Sequence, residues 1–250
     1  MERPAAGAER RSADLPIFYH RPRPLNAVAD QGRSLRPVTD FGFARATNSL
    51  VLGAAEYPHA MHSYPIVFTS REPLAAVAVL GLEDNANLFI GEDGKWREGH
   101  YVPAYVRRYP FLFLEQPEKN ELVLCIDENS GLLTQSADRP LFEDGQPTQL
   151  VRDALAFCRD FNEQTMKSAA FVGELANRGL LVSNQARVAL ASGREMASHG
   201  FQIVDEAKFN ALPDEVILDW RRRGWLPLVY CHLLSMSRWR GLAELATKKQ

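Results

Sequence analysis

Glu56, His59 and His62 are the residues whose types and spacing are best suited to chemistry, in the pattern E-x-x-H-x-x-H. A carboxylate and two imidazoles are good ligands for iron or zinc. Three-residue steps share one face only in a helix, and Pro58 and Pro65 argue against a continuous helix, although a single turn could begin at Pro58. The alternative, which we favour, is two surface histidines on a loop between strands, so we predict no metal site and keep these three residues as candidates.

A second set lies in the string Tyr-Val-Pro-Ala-Tyr-Val-Arg-Arg-Tyr-Pro-Phe, which spans residues 101–111. Arginine pairs bind carboxylate or phosphate through two parallel hydrogen bonds, and tyrosine supplies a flat, rigid contact surface. The string therefore predicts a recognition surface for a peptide or an anion, formed by Tyr101, Tyr105, Arg107, Arg108 and Tyr109. The alternative is a short helix, starting near Pro103, whose tyrosines pack inward while the arginines lie in solvent or pair with acidic residues.

Asp127 is a candidate catalytic carboxylate, as is Glu56, because Asp127 ends an apolar run that is typical of a buried strand. Cys125 lies two residues before it and so on the same strand face. No histidine is near in sequence, so a nucleophile–base pair has no support. The alternative role for Asp127 is a turn at the strand end.

Common catalytic motifs are absent from the sequence, which contains no P-loop, G-x-G-x-x-G after a strand, G-x-S-x-G, H-E-x-x-H or C-x-x-C. Nucleotide-binding, hydrolase and metalloprotease functions therefore lack support, and no cofactor can be named. The basic cluster Arg221–Arg223 precedes Gly224, a residue suited to ending a helix, so we interpret the cluster as complementing a helix dipole. We expect no nucleic-acid partner.

The elements that must position these residues are strands first and helices later. Apolar or β-branched runs predict strands at 49–55, 66–70, 74–82, 88–90, 111–114 and 121–126. From Thr148 the apolar period becomes helical for about thirty residues, up to Gly179. A hairpin with a turn near Ser192-Gly193 and helices near 206–211, 213–223 and 226–237 follow. We predict an α+β fold, with a β-rich N-terminal two-thirds packed against a long amphipathic helix and C-terminal helices.

Composition and charge indicate an ordinary globular protein, with 46% hydrophobic and 24% charged residues and a net charge of -2. Residues 1–37 are rich in proline and arginine and predict a flexible or extended arm, and residues 38–250 predict a single domain. The first fifteen residues lack the apolar core of a signal peptide, and no apolar stretch is long enough to span a bilayer. We expect a cytoplasmic protein with no transmembrane segment; its oligomeric state cannot be read from the sequence.

The sequence resembles the SapC family from about Ala54 to Ser235. The resemblance rests on Ala55-Glu56-Tyr57-Pro58, Tyr64-Pro65-Ile-Val-Phe68, the string at 101–111, Cys125-Ile-Asp127 and His232-Leu-Leu-Ser235. The family is bacterial and is named for surface-layer protein secretion, and many members look like companions of outer-membrane receptor genes and of oxygenase-like or halogenase-like enzymes. The family pattern keeps Glu56 but does not require His59 or His62.

The resemblance implies an accessory or binding protein that recognises a peptide or protein destined for the cell surface or secretion. Two alternatives stay open. One is a metal-dependent or other modifying, oxygenase-like enzyme that uses Glu56 and Asp127, and the other is an obligate partner subunit of such an enzyme. The residues that match the family without an evident packing reason are Glu56, Tyr105, Arg107, Arg108 and Asp127.

Overall fold

The computed structural model describes residues 15–116, 121–189 and 195–248. Within them the strands are β1 (Pro22–Pro24), β2 (Ser34–Leu35), β3 (Ser49–Val51), β4 (Ile66–Thr69), β5 (Ala76–Val79), β6 (Phe111–Gln116), β7 (Glu121–Asp127), β8 (Leu133–Thr134), β9 (Phe142–Glu143), β10 (Gln146–Pro147), β11 (Leu181–Ala189) and β12 (Glu195–Val204). The helices are α1 (Tyr57–Ala60), α2 (Ala104–Arg107), α3 (Gln149–Asn177), α4 (Glu206–Asn210), α5 (Asp214–Arg223), α6 (Leu226–Ser235) and α7 (Arg238–Lys248). The fold is α+β, as predicted.

The chain divides into two compact units. Of the described residues, those within 1–38 and 109–158 form the first unit, and those within 39–108 and 159–250 form the second unit. The organisation of residues 38–250 as a single domain stays a prediction. Residues 1–14 of the expected arm and the expected turn near Ser192-Gly193 lie outside the described residues.

The first unit is built on the antiparallel sheet β1-β7-β6. It also contains the short antiparallel pair β2-β8 and the hairpin β9-β10. Its buried apolar core comprises Leu35, Phe111, Leu124, Ile126, Leu141, Val151 and Cys158. Proline has no N–H to donate, so β1, which contains two prolines, suits the edge of this sheet. The arm therefore includes regular structure, because β1 pairs with the end of β7 from Asp127 to Cys125.

The second unit is built on the antiparallel five-stranded sheet β11-β12-β4-β5-β3. Its strand β4 is buried on both faces at Ile66, Val67 and Phe68, which accounts for the continuous apolar run in the sequence. Phe171 of α3 packs edge-on against Phe68, and their ring centroids lie 6.3 Å apart. Helix and sheet thus share one apolar layer in this unit.

The long helix α3 ends where the sequence predicts. Gly179 adopts a positive φ of 65° and donates to the carbonyl of Ala176 at 2.9 Å. Leu180 donates to the carbonyl of Leu175 at 2.9 Å, which completes a Schellman motif. Gly224, at φ 71°, ends α5 in the same way. In both turns glycine avoids the steric cost that a Cβ would add at positive φ.

His232 joins α6 to the sheet of the second unit. β12 pairs with β4 at Phe201–Thr69 and Gln202–Phe68, a register that, two residues further, would place Val204 opposite Ile66. Nε2 of His232 instead accepts from the N–H of Val204 at 3.1 Å, and Nδ1–H donates to the carbonyl of Ile66 at 2.7 Å. The imidazole replaces the ladder bond where the two strands separate. Burial lowers the pKa of His232 to about 4, so the ring is neutral at pH 7.

Two predictions of secondary structure are wrong. Residues 88–90 form only an isolated bridge, between Ile90 and Trp96, because buried Asn87 accepts the N–H of Phe89 through its side chain at 2.9 Å and turns the backbone. The helices do not end near residue 237, since α7 follows and buries Leu242 and Ala246, four residues apart on one face.

Candidate functional site

Glu56 is a buried carboxylate, with 5% of its surface exposed, at the end of a short 3-10 turn (Ala54–Glu56) that leads into α1. Its Oε2 accepts from the N–H of Gly53 at 2.8 Å. Its Oε1 accepts from the N–H of Ala104 at 2.7 Å and from the hydroxyl of Tyr101 at 3.1 Å. The carboxylate therefore connects the start of α1 to the start of α2 through hydrogen bonds. This gives Glu56 a structural role that the sequence did not reveal.

The protonation equilibria at Glu56 and Tyr101 are coupled through this hydrogen bond. Burial raises the pKa of Glu56, against the opposing effects of the Ala104 and Gly53 N–H groups, the Tyr101 hydroxyl and the Arg107 charge. Burial, together with the nearby Glu56 charge, raises the pKa of Tyr101 to about 12. Tyr101 is thus a neutral phenol at pH 7 and is suited to donating a hydrogen bond to the carboxylate.

Tyr101 is held by its backbone as well as by its hydroxyl. Its N–H donates to Oγ of Ser63 at 3.0 Å, and its carbonyl accepts from the hydroxyl of Tyr64. Nε1 of Trp96 donates to that same Tyr64 hydroxyl at 3.0 Å. Because both backbone groups and the hydroxyl are bonded, the Tyr101 ring has a fixed position in the second unit.

Arg107 and His59 are exposed side chains in contact with Tyr101. Nη2 of Arg107 donates to the Tyr101 hydroxyl at 2.8 Å, and its Nε donates to the carbonyl of Val102 at 3.0 Å. The ring of His59 stacks on that of Tyr101, with centroids 5.5 Å apart and planes at 22°. We call His59, Tyr101 and Arg107 the Tyr101 platform.

The platform and the Glu56 carboxylate bonded to it unite residues from two sequence patterns that were predicted separately. Glu56 and His59 come from the E-x-x-H-x-x-H set, and Tyr101 and Arg107 come from the tyrosine–arginine string. The short helix α1, with Pro58 in its first turn, is the single turn that the prolines allowed. His62 lies beyond α1 as an exposed residue. Among the described residues, no group of three or more His, Cys, Asp or Glu side chains is arranged to hold a metal ion.

Tyr105 and Arg108 both contact Phe161, and Arg108 remains partly exposed. Tyr105 is buried, and its ring meets that of Phe161 edge-on, with centroids 6.0 Å apart. The guanidinium of Arg108 lies 4.1 Å from the Tyr105 centroid and 4.5 Å from the Phe161 centroid. Cation–π contact stabilises this arrangement. Both residues therefore have a packing role within the second unit.

Asp127, in the first unit, fastens the arm to the end of β7. The carboxylate is fully buried and accepts from the backbone N–H groups of His20 at 3.1 Å and Arg21 at 2.8 Å. It also accepts from the N–H of Asn129 at 3.2 Å and from the hydroxyl of Tyr109 at 3.5 Å. Burial and the Asp127 charge raise the pKa of Tyr109. Asp127 thus caps the turn at the strand end, as in our alternative interpretation, and it also binds the backbone of the arm.

Glu56 and Asp127, the two candidate catalytic carboxylates, belong to different units, and each accepts several hydrogen bonds from its own unit. Sequence reasoning missed Ser63 and Tyr64, which hold Tyr101, as well as the partners of His232. A signal existed for Tyr64, since an aromatic residue before proline in an apolar run predicts burial, and a buried tyrosine needs a hydrogen-bond partner.

The fold and these contacts define an α+β protein in which a buried carboxylate accepts a hydrogen bond from an ordered tyrosine, and an exposed arginine donates to that tyrosine. The sequence model of the SapC family matches residues 25–242. The chain therefore belongs to the SapC family. Comparisons with curated proteins and with solved structures found no match. Within the described residues, every helix is too short or too polar to cross a membrane.

Proposed function

We propose that this SapC-family chain is an accessory or binding protein that recognises a peptide or protein destined for the cell surface or secretion. The supporting observation is the Tyr101 platform, in which an exposed cation and an exposed imidazole flank an ordered tyrosine ring. That the partner is destined for the cell surface or secretion is inferred from the family's name. The platform supplies the chemistry of recognition.

The chemistry of the platform favours an acidic segment that carries a flat or apolar neighbour. The exposed guanidinium of Arg107 attracts a carboxylate and matches its planar geometry. Arg107 is bonded to Tyr101 and Val102, and Tyr101 is bonded to Glu56, so less side-chain freedom is lost when a ligand binds. The exposed face of His59 offers a stacking surface beside the charge.

The test uses the charge of Arg107. The labelled full-length protein is incubated with an array of short synthetic peptides of varied acidic content. We expect the wild type to retain acidic peptides with apolar neighbours, and Arg107→Glu to weaken that binding by at least about tenfold, because like charges then oppose each other. Arg222→Glu, at an exposed arginine of α5 in the same unit, makes the same charge change away from the platform and should bind like the wild type.

Arg108 is unsuited to this experiment because it packs over two rings, so that replacing it would disturb folding as well as charge. Equal binding by wild type and Arg107→Glu would place recognition elsewhere. Absence of any peptide preference in the wild type would reject the proposed function.

The enzyme alternative is supported by a single observation, the raised pKa of buried Glu56, which is a property of many general acids. That carboxylate already accepts three internal hydrogen bonds. Native mass spectrometry of the untagged protein purified from its own host separates the alternatives. A stoichiometric metal or small-molecule adduct would favour the modifying enzyme, and a second protein in fixed ratio would favour the obligate subunit.

A further inference from the structure

The first unit has an open surface depression of about 630 Å³ that is lined mostly by residues of the arm. Its lining residues are Arg23, Pro24, Asn26, Val28, Ala29, Arg33 and Glu128. The volume falls in the range of pockets that hold small molecules or short peptide segments. The lining combines two guanidinium groups with an apolar wall, and the wall includes Val28, 83% of whose surface is exposed.

Asp30 fixes the position of Arg23 from beneath the depression. The carboxylate is fully buried and accepts from Nη1 of Arg23 at 3.0 Å, from its Nη2 at 2.5 Å and from the N–H of Asn26 at 3.0 Å. Burial alone would raise the pKa of Asp30, but these hydrogen bonds and the charges of Arg23 and Arg33 outweigh it and lower that pKa. Asp30 is therefore an anion at neutral pH, and its hydrogen bonds hold Arg23 in one orientation.

The loop that carries the apolar wall is ordered by its own hydrogen bonds. The side-chain oxygen of Asn26 accepts from the N–H groups of Val28 at 2.9 Å and Ala29 at 3.1 Å. The N–H of Asp30 donates to the carbonyl of Asn26 at 2.8 Å, and the N–H of Arg33 donates to the carbonyl of Asp30 at 3.1 Å. The wall and the guanidinium of Arg23 are thus positioned before a ligand arrives, which lowers the entropy lost on binding.

Among the side chains that form ion pairs at Asp30 and Glu128, the positive charges outnumber the negative charges by one. Glu128 lies 3.5 Å from Arg21, 3.4 Å from Arg23 and 3.6 Å from Arg33. The two carboxylates, Asp30 and Glu128, therefore face three guanidinium groups. Arg33 makes the longest pairs of this set, at 3.6 Å to Glu128 and 4.0 Å to Asp30, both longer than a hydrogen bond. A ligand carboxylate can approach Arg33 without breaking a strong contact.

We propose that this depression binds an acidic peptide segment, in which a side-chain carboxylate contacts Arg33 and a neighbouring aliphatic side chain packs on Val28, Ala29 and Pro24. The planar fork of arginine fits a carboxylate with two parallel hydrogen bonds. An inorganic anion would satisfy the charge but would leave the apolar wall uncovered. This site shares no residue with the Tyr101 platform, so it stands or fails independently of the proposed function.

The test records amide shifts of the ¹⁵N-labelled full chain during titration with the capped tripeptide acetyl-Val-Glu-Val-amide. Its isostere acetyl-Val-Gln-Val-amide and inorganic phosphate are titrated in parallel. We expect the glutamate peptide to shift the amides of residues 26–33, with the glutamine peptide and phosphate at least about tenfold weaker there.

Variants assign the contacts. Arg33→Gln removes the cation and should weaken the glutamate peptide at least about tenfold. Val28→Asp changes an exposed side chain at little risk to folding and should repel the same peptide. Arg36→Gln, at an exposed arginine of the same arm outside the lining, should bind like the wild type. Equal binding of the two peptides, phosphate as strong as the glutamate peptide, or unchanged binding by Arg33→Gln and Val28→Asp would each overturn the proposal.

Discussion

The carboxylate of Glu56 accepts a 2.7 Å hydrogen bond from the backbone N–H of Ala104, the first residue of α2 and forty-eight positions later in the chain. One buried oxygen of Glu56 thereby fixes the helix that carries Arg107, and it also orders Tyr101 through the phenolic hydroxyl. In this fold, the acidic residue that the sequence nominates as a catalytic candidate also positions a surface arginine.

The first prediction concerns the stability that Glu56 provides. Glu56→Ala would leave the N–H groups of Gly53 and Ala104 and the hydroxyl of Tyr101 without their buried acceptor, and should lower the free energy of unfolding by about 3 kcal/mol or more. Glu56→Gln keeps one acceptor oxygen and should cost less. Urea denaturation at pH 7 measures both. Glu98→Ala, at an exposed glutamate of the same unit, should change stability little, and an equally small effect at Glu56 would contradict its role.

The second prediction concerns the pH dependence that arises from His232. Its pKa in the folded state, about 4, lies below the unfolded value near 6.5. The folded state therefore binds fewer protons than the unfolded state. The contribution of neutral His232 to the free energy of unfolding is complete above pH 6.5 and is lost as the pH falls towards 4. A shift of that size corresponds to about 3 kcal/mol.

Urea denaturation of wild type and His232→Gln across this range measures the effect as the difference between their pH profiles. The amide of Gln can donate and accept but does not titrate, so His232→Gln should lack this loss between pH 6.5 and 4. His62→Gln, at an exposed histidine, should keep the wild-type profile. A His232→Gln profile parallel to that of the wild type would refute the assignment.

The third prediction concerns the arm. Asp127→Ala removes the acceptor for the N–H groups of His20 and Arg21, and it should release the arm from the end of β7. Hydrogen exchange at the amides of residues 20 and 21 should accelerate by at least about tenfold, which corresponds to about 1.4 kcal/mol of lost local stability. Asp138→Ala, at an exposed aspartate of the first unit, serves as the control. Unchanged exchange in Asp127→Ala would show that β1 pairing alone holds the arm.

The fourth prediction separates the two adjacent arginines. Arg108→Ala should lower the free energy of unfolding by about 1–2 kcal/mol, because the guanidinium contacts the rings of Tyr105 and Phe161. Arg108→Lys keeps the charge without the flat group and should lose less. Thermal unfolding compares them with Arg222→Ala, which removes an exposed arginine elsewhere in the unit. If Arg108→Ala lowers the free energy of unfolding no more than Arg222→Ala does, the ring contacts do not stabilise the fold measurably.

Local patterns in the sequence determined the elements and the family. The 3.6-residue apolar period predicts α3, and Gly179 predicts its end. Both signals are local, because an apolar helix face and a glycine at positive φ each depend only on residues close together in the sequence. Short apolar runs predict β4, β6 and β7 for the same reason. The prediction at 88–90 is wrong because a side chain, Asn87, competes for a backbone N–H that a strand would use.

Only the tertiary structure decided which polar groups meet. Glu56 meets Tyr101 across 45 residues, Asp127 meets Arg21 across 106, and His232 meets Ile66 across 166. A buried polar atom must find a partner, but the sequence does not name that partner, since packing of distant segments selects it. The spacing of Glu56, His59 and His62 therefore predicts candidate metal ligands. In the fold, Glu56 instead accepts hydrogen bonds from backbone N–H groups near the starts of α1 and α2, and His59 stacks on the ring of Tyr101.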